Sequence, residues 1–179
     1  MTAALRVDGV DISHHQRTVD FKVGKAAGVK WVYHKATEGQ TLDDSRYVER
    51  RKAAAEVRMP FGAYHFARPE GADAEREARH FIEQVKRAPL PDLRPMLDIE
   101  DQGGLSNEAL TRWIERWMAV VEKEFGAKPV LYIARNFNLT RKVSDVLWVP
   151  RYSNANTPLG RVPDPWLSLI HISEPTRLR

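Results

Sequence analysis

Residues 95–101, Pro95-Met96-Leu97-Asp98-Ile99-Glu100-Asp101, join an apolar run to a cluster of acids. The apolar part predicts a strand buried on both faces, as in a parallel sheet. Because successive side chains alternate between the faces of a strand, we expect Asp98 and Glu100 on one face, with their Cα atoms about 6–7 Å apart. Burying a carboxylate without a partner is unfavourable, so acids that end an apolar strand indicate a functional site.

Similar apolar runs recur along the chain and alternate with helical patterns. The predicted strands are Val7–Ile12, Trp31–Lys35, Gly62–Phe66, Pro95–Ile99, Val130–Ile133 and Leu147–Arg151. Such alternation predicts parallel strands joined by crossover helices. The sequence contains neither Gly-x-Gly-x-x-Gly after the first strand nor a Gly-rich phosphate-binding loop with a lysine. The pattern therefore favours a β/α barrel over an open doubly wound sheet.

Helical periodicity fills most of the gaps between these strands. One apolar stripe runs from Ala74 to Val85, and a second runs from Leu110 to Val121 and includes two tryptophans that we expect in the core. Ser106 is the predicted N-cap of the second helix, and Gly126 its end. A shorter helix is predicted at residues 21–27.

Composition limits the class of protein and its partners. The 179 residues suit one domain, and the absence of cysteine excludes disulfides and thiolate metal sites. No apolar run is long enough to suggest membrane insertion, and the N-terminus lacks signal-peptide features. The net charge of +4 suits a polyanion. However, basic and acidic residues are mixed on helix faces such as 49–52 and 75–77, which predicts solvated surfaces and counts against nucleic-acid binding.

The first strand also ends in an acid, Asp11. Since the carboxyl ends of parallel barrel strands share one rim, we expect Asp11, Asp98 and Glu100 in one cleft. Two carboxyls at this spacing can flank a glycosidic bond, one to protonate the leaving oxygen and one to stabilise or attack the anomeric carbon. Spacing alone leaves open a solvated loop or a calcium site.

Several longer motifs add to the pair of acids. In order, they are Gly9-Val10-Asp11-Ile12-Ser13-His14-His15-Gln16, Lys35-Ala36-Thr37-Glu38-Gly39, Gly62-Ala63-Tyr64-His65-Phe66 and Asp98-Ile99-Glu100, with looser matches at residues 131–133 and 147–152. From about Val7 to Trp166 the chain resembles the lysozymes of glycoside hydrolase family 25, which are N-acetylmuramidases. The resemblance implies a flattened, irregular β/α (TIM-like) barrel that cleaves the β-1,4 bond between N-acetylmuramic acid and N-acetylglucosamine.

The resemblance also implies roles for individual residues. Glu100 is the expected general acid, and Asp98 its partner, acting either as a nucleophile or by orienting the substrate's acetamido group. Asp11 is expected to line the same site. Candidate sugar contacts are Tyr64, Tyr132 and Trp148. Lys35 either touches substrate as well or forms an ion pair with Glu38 that shapes the rim.

The end of the chain departs from the family pattern. Residues 167–179 read like a translated sequencing adapter, so we expect a hydrolase domain at residues 1–166 and a non-native tail after it. The family's closing Trp-Gln-Tyr strand and the acidic strand after it are missing. We therefore expect a barrel that lacks its last strands and has two open sheet edges.

The implied partner is bacterial cell-wall peptidoglycan, bound by a monomer without cofactor or metal. The site of action is the cell wall, reached outside the cell or on release during phage lysis. Two alternatives stay open, a non-catalytic wall-binding remnant and a barrel hydrolase of another N-acetylated glycan such as chitin. His14 and His15 are not expected to bind metal, because neighbours on an extended segment point in opposite directions. We expect His65 to be packed or hydrogen-bonded rather than to act as a base.

Overall fold

The computed structural model describes residues 9–71, 73–133 and 137–148. Within them one sheet contains strands β1 Gly9–Ile12, β2 Trp31–Glu38, β3 Leu42–Asp43, β4 Phe61–Phe66, β5 Met96–Ile99, β6 Val130–Ile133 and β7 Leu147–Trp148. The order is β1-β2-β4-β5-β6-β7, and each neighbouring pair is parallel. β3 pairs antiparallel with β2 and was not predicted. The predicted extension of β7 to Arg151 and the tail at 167–179 lie outside the described residues.

Four helices connect the strands in this part of the chain: α1 Phe21–Ala26, α2 Tyr47–Glu56, α3 Ala74–Val85 and α4 Asn107–Phe125. Side chains of Asp20, Asp73 and Ser106 accept hydrogen bonds from the first-turn N–H groups of α1, α3 and α4. Gly126 ends α4 with φ of 69°, a conformation that favours glycine. Both predicted caps of α4 are confirmed. No helix of the described ranges has the length and apolar character needed to cross a bilayer.

The two faces of the sheet have different roles. The outer face packs under the helices and contributes Val32, Phe61, Leu97 and Leu131 to the main core, where Trp117 of α4 is also fully buried. The inner face carries a smaller aromatic cluster. Its members are Tyr33, Met96, Val130 and Trp148, with Trp31, Tyr64, Leu93, Tyr132 and Val146 packed against them. The alternation of side chains therefore separates a structural face from the face that carries Asp11 and Asp98.

The inner aromatic cluster shows how strongly the sheet curls. Trp31 on β2 and Trp148 on β7 are four strand steps apart, a separation of about 19 Å in a flat sheet. Their ring centroids lie 5.6 Å apart, and Tyr33 also meets Trp148 at 5.9 Å. The sheet is thus a half-barrel with helices outside, which confirms the predicted irregular β/α class.

Two inner-face glycines make room for the aromatic rings. A Cβ added at Gly9 would lie 2.0 Å from the Trp31 ring, and one added at Gly62 would lie 2.3 Å from the Tyr33 ring. Neither approach is compatible with a side chain unless the ring moves. The rings therefore lie flat over these strands and fill the half-barrel below the carboxyl-terminal ends of its strands.

Three charged residues on the helices correct the prediction of solvated helix faces. Arg50 and Arg51 of α2 are 6% and 4% exposed, and Glu77 of α3 is fully buried. Arg51 donates to the carbonyls of Pro89 and Leu90 at 2.9 and 2.6 Å. The prediction was wrong because the partners come from distant parts of the sequence, which a local charge pattern does not reveal.

Candidate active site

The acids predicted at the strand ends meet in one pocket of about 170 Å³ at the carboxyl-terminal rim of the sheet. The residues lining it are Asp11, Ser13, His15, Lys35, Tyr64, Phe66, Met96, Asp98, Glu100 and Tyr132. Asp11 comes from β1, Asp98 from β5, and Glu100 directly follows β5. The structure thus brings six of the seven predicted site residues together, and Trp148 is the exception.

Asp98 has the most unusual environment in this pocket. Its residue is 7% exposed, and its Oδ1 atom is buried without a hydrogen-bond partner in the described structure. Burial raises the pKa of Asp98 well above its usual range, Glu100 and Asp11 raise it further, and Lys35 opposes them. The Asp98 carboxyl therefore holds a proton more tightly than an exposed aspartate does. Glu100, by contrast, is exposed at the pocket mouth, where a bound ligand can reach it.

The groups around Asp98 respond to the same crowding of acids. Burial and the charge of Glu100 raise the pKa of Asp11. The pKa of Tyr64 is raised well above its usual value, first by burial and then by the carboxylates of Asp98 and Asp11. Because these groups interact, their protons belong to the cluster rather than to single residues. Tyr64 keeps its phenolic proton and can donate a hydrogen bond to a ligand.

A bulge in β2 places a charged cluster beside the acids. Lys35 pairs in register with Tyr64 and Glu38 with Phe66, and the register shifts between Lys35 and Thr37. Residues three apart normally point to opposite faces of a strand, but the extra residue puts Lys35 and Glu38 on the same face. The Lys35 ammonium donates to Glu38 Oε2. The predicted ion pair is present, and Lys35 also lines the pocket.

Arg68, which follows β4 and was not among the predicted site residues, completes this cluster. Its Nε donates to Glu38 Oε1 at 2.9 Å, and its guanidinium lies 4.7 Å from the centre of the Phe66 ring. The Lys35 ammonium lies 4.9 Å from the same ring. Burial alone would raise the pKa of Glu38, but the hydrogen bonds from Lys35 and Arg68 bring it below its usual value. Glu38 is therefore ionised between two cations.

The turn after β1 forms another wall of the pocket through Ser13 and His15. His14 and His15 do not point in opposite directions as predicted, because the chain turns directly after Ile12, and their ring centroids lie 4.0 Å apart. Asp44 accepts hydrogen bonds from the backbone N–H of His14 at 2.8 Å and from its Nδ1 at 3.0 Å. Across the described ranges, no three histidines or acids are grouped so that they could hold a metal ion.

Arg50 holds the same turn from the outer side. Its Nη1 donates to the Ser13 carbonyl at 2.7 Å, and its Nη2 donates to the Gln16 carbonyl. Nη1 also lies 3.2 Å from Nε2 of His34, whose Nδ1 donates to the Lys35 carbonyl at 2.7 Å. Burial lowers the pKa of His34 to about 4, so the neutral ring accepts from the guanidinium. Sequence reasoning missed this support.

His65 lies on the outer face, away from the pocket, and is fully buried. Its Nε2 donates to Glu77 Oε2 at 2.7 Å, and its Nδ1 lies 2.7 Å from the Thr37 hydroxyl. Burial lowers the pKa of His65, which keeps the ring neutral. The predicted structural role of this histidine is confirmed.

The aromatic candidates separate into two groups. Tyr64 and Tyr132 line the pocket. Trp148 is 3% exposed and packs edge-on against Trp31, Tyr33 and Tyr132, at centroid distances of 5.6, 5.9 and 5.7 Å. The structure therefore places Trp148 in the cluster beneath the pocket and not at its wall.

A second, larger groove of about 320 Å³ lies between α4 and the loop after β4. Its wall is mainly apolar and includes Leu105, Trp113 and two arginines, Arg112 and Arg116. Each arginine has an acidic partner, Glu108 and Glu75 respectively. No carboxylate lines this groove among the described residues, so the smaller pocket with its acids is the better candidate for chemistry.

Comparison with known proteins agrees with this geometry. The model of glycosyl hydrolases family 25 matches residues 10–169. The chain belongs to this family. The solved structure of a family 25 lysozyme from Aspergillus fumigatus is similar with a TM-score of 0.78 and 28% sequence identity, covering 91% of this chain and 84% of that chain.

Two curated proteins are similar to this chain in sequence. The autolytic lysozyme of Clostridium acetobutylicum is 32% identical over 148 residues, which cover 80% of this chain and 44% of that protein. The "Uncharacterized protein YegX" of Escherichia coli K12 is 30% identical over 154 residues, or 82% of this chain and 56% of that protein. The chain thus spans about half the length of these two relatives.

Proposed function

We propose that this family 25 chain is a peptidoglycan hydrolase that cleaves the β-1,4 bond between N-acetylmuramic acid and N-acetylglucosamine. The observation that carries the proposal is the single pocket containing Asp98, Glu100 and Asp11 at the strand ends of the family fold. The similarity to an autolytic lysozyme supports the choice of substrate. The protein would act as a monomer on the bacterial cell wall.

In this reaction Glu100 is the general acid. It lies at the mouth of the pocket, within reach of a glycosidic oxygen on a bound glycan. Its proton passes to the leaving oxygen as the bond from that oxygen to the anomeric carbon breaks. Water then supplies hydroxide to the anomeric carbon and returns a proton to Glu100, which restores the enzyme.

Of the two roles considered for Asp98, orienting the acetamido group fits the site better than direct attack. A carboxylate nucleophile must be ionised, and burial, which raises the pKa of Asp98, makes its ionised form less stable. The Asp98 carboxyl can instead hydrogen-bond to the substrate's acetamido group, whose carbonyl oxygen then attacks the anomeric carbon. The unpartnered Oδ1 atom is available for that contact.

The other residues of the pocket bind and surround the sugar. Tyr64 and Tyr132 supply aromatic surfaces, and Lys35 supplies a cation at the wall. Asp11 adds negative charge beside the pair and raises the pKa of Asp98. This combination of acids, aromatic rings and one lysine suits a polar ring bearing an N-acetyl group.

The test is to identify the new reducing ends after incubation with purified peptidoglycan, using protein that melts cooperatively. We expect N-acetylmuramic acid at the ends, and a loss of rate of about 10²–10⁴-fold in Glu100→Gln. Asp101→Asn is the matched control, since Asp101 only accepts from the N–H of Gly103 at 2.9 Å and asparagine can do the same. Its rate should stay within about twofold.

Other outcomes separate the competing functions. N-acetylglucosamine at the new ends would make the protein a glucosaminidase, and release of sugar from chitin alone would assign another glycan. A folded protein that sediments with peptidoglycan but releases no sugar would be a binding module, and the proposal would be wrong.

A further inference from the structure

The pocket contains a carboxyl group, that of Asp98, and an ammonium group, that of Lys35, which do not form an ion pair with each other. Asp98 Oδ1 is buried and has no hydrogen-bond partner among the described residues, yet Lys35 lines the same pocket. A buried carboxylate oxygen without a partner is unfavourable. An ammonium group nearby would normally relieve that penalty, so some other contact must hold Lys35 back.

The register of the strands shows that Lys35 is close enough to pair with Asp98. Lys35 is the register partner of Tyr64 on the neighbouring strand, and Tyr64 is the register partner of Met96 on the next strand. Met96 precedes Asp98 by two residues. Two strand spacings and two residues along the strand separate the two Cα atoms by about 12 Å, and less in a curled sheet. An extended lysine and an aspartate together span that distance. Pairing is therefore prevented by competition and not by reach.

Glu38 is the competitor. The β2 bulge places Glu38 on the same face of the strand as Lys35. Glu38 is the register partner of Phe66, which is in turn the register partner of Asp98. Glu38 accepts the Lys35 ammonium on Oε2 and the Arg68 guanidinium on Oε1, so each carboxylate oxygen has its own cation. Both cations also contact the Phe66 ring, which fixes the position of the ion triad.

We propose that Glu38 is a positioning residue that holds the Lys35 ammonium away from Asp98 and so leaves the Asp98 carboxyl unpaired for the substrate. The role given to the substrate rests on the proposed function, whereas the arrangement of the charges does not. Without Glu38, Lys35 turns to Asp98, and the ion pair fixes Asp98 as a carboxylate.

The surroundings of Asp98 make Glu38 the group to test. The titratable and charged groups that face Asp98 are Asp11 and His15 from the β1 segment, Lys35 and Glu38 from β2, Tyr64 from β4, Glu100 after β5 and Tyr132 from β6. Lys35 is the only lysine or arginine in this set. Whether the Lys35 ammonium points toward Glu38 or toward Asp98 therefore decides whether Asp98 has a counter-ion.

The experiment follows the Asp98 carboxyl carbon by ¹³C NMR as pH is varied, in wild type and in Glu38→Gln. We expect its titration midpoint to fall by about one pH unit or more in Glu38→Gln, because the negative charge of Glu38 is lost and Lys35 is then free to pair with Asp98. The double variant Lys35→Met/Glu38→Gln should return the midpoint to the wild-type value or above. Arg68→Gln, which leaves the Lys35–Glu38 pair intact, is the matched control and should show a wild-type midpoint.

Activity gives a second readout that a merely structural role would not produce. In Glu38→Gln we expect kcat on peptidoglycan to fall about tenfold, with KM changed less than about threefold, since the ion pair must break in each turnover. An unchanged Asp98 midpoint in folded Glu38→Gln, or an equal fall in Arg68→Gln, would overturn the proposal. Should Glu38→Gln not fold, Glu38→Ser tests the same competition. A shifted midpoint in a protein that releases no sugar would retain the positioning role and reject the proposed function.

Discussion

Replacing Arg50 by methionine tests whether a buried cation on α2 stabilises the turn that walls the pocket. Arg50 is 6% exposed, and its guanidinium donates to the carbonyls of Ser13 and Gln16 and to His34. Methionine retains much of the apolar stem but none of the donors. The variant therefore removes these hydrogen bonds while leaving α2 a good helix former at this position.

The expected loss of stability follows from those contacts. A hydrogen bond to a charged group contributes about 1.5–3 kcal/mol, so the two bonds to carbonyls amount to roughly 3–6 kcal/mol. Removing a buried charge returns part of this, because the guanidinium no longer has to be desolvated. We expect the free energy of unfolding to fall by about 2–4 kcal/mol. For a chain of this size, that lowers Tm by about 5–15 °C.

The assay is thermal unfolding at neutral pH, with Arg46→Met as the matched control one turn earlier. The Arg46 side chain is 50% exposed and forms an i,i+3 ion pair with Glu49, so its loss should change stability by less than about 0.5 kcal/mol. Equal melting temperatures for the two variants would refute the reasoning. It would mean that the contacts of Arg50 with the turn contribute nothing to stability.

Two further predictions concern Asp98 and the inner face of the sheet. Because burial raises the pKa of Asp98, the folded state binds its proton more tightly than the unfolded state, so the free energy of unfolding should fall as pH rises from about 4 through the folded pKa. Denaturant unfolding should show this dependence on pH in wild type and a flatter profile in Asp98→Asn. Identical profiles would contradict the prediction. Gly62→Ala should destabilise the fold by about 1–3 kcal/mol because its Cβ would overlap the Tyr33 ring. Gly24→Ala in α1, where the nearest atom is 3.9 Å away, is the control and should be neutral or stabilising by up to about 1 kcal/mol. Equal melting temperatures for the two variants would show that the Tyr33 ring moves freely.

Much of the fold could be predicted because it depends on local patterns. Apolar runs located the parallel strands, and Ser106 before the second helical stripe located the N-cap of α4. The acids could be placed together because parallel strands share one rim, so Asp11 and Asp98 needed no contact information. Period-two alternation then put Asp98 and Glu100 on the inner face.

The missed features depend on residues that are far apart in sequence. Arg50 and Glu77 lie in charged helical stretches that look solvated, and only the folded chain supplies their buried partners. Trp148 lies in the last predicted strand and was a candidate sugar contact, but the curl of the sheet covers it with Trp31 and Tyr33. Local sequence carries no signal for curvature, and so none for what the curvature buries.

The β2 bulge is an instructive intermediate case. Strict alternation predicts that Lys35 and Glu38 face opposite ways, yet their ion pair was among the alternatives because both residues belong to one motif. The structure reconciles the two through one additional residue between Lys35 and Thr37. Bulges beside functional sites redirect side chains in this way. The local sequence of a short polar strand segment does not predict where a bulge occurs.

The aromatic cluster under the pocket also limits how a polymer can approach. Tyr33, Met96, Val130 and Trp148 are buried side by side and fill the half-barrel below the acids, so the described part of the protein leaves no passage through its centre. Under the proposed function, a glycan strand at Asp98 and Glu100 would therefore lie across the rim of the described sheet. The proposed cut would then not require a chain end, and internal bonds of continuous strands would be open to it.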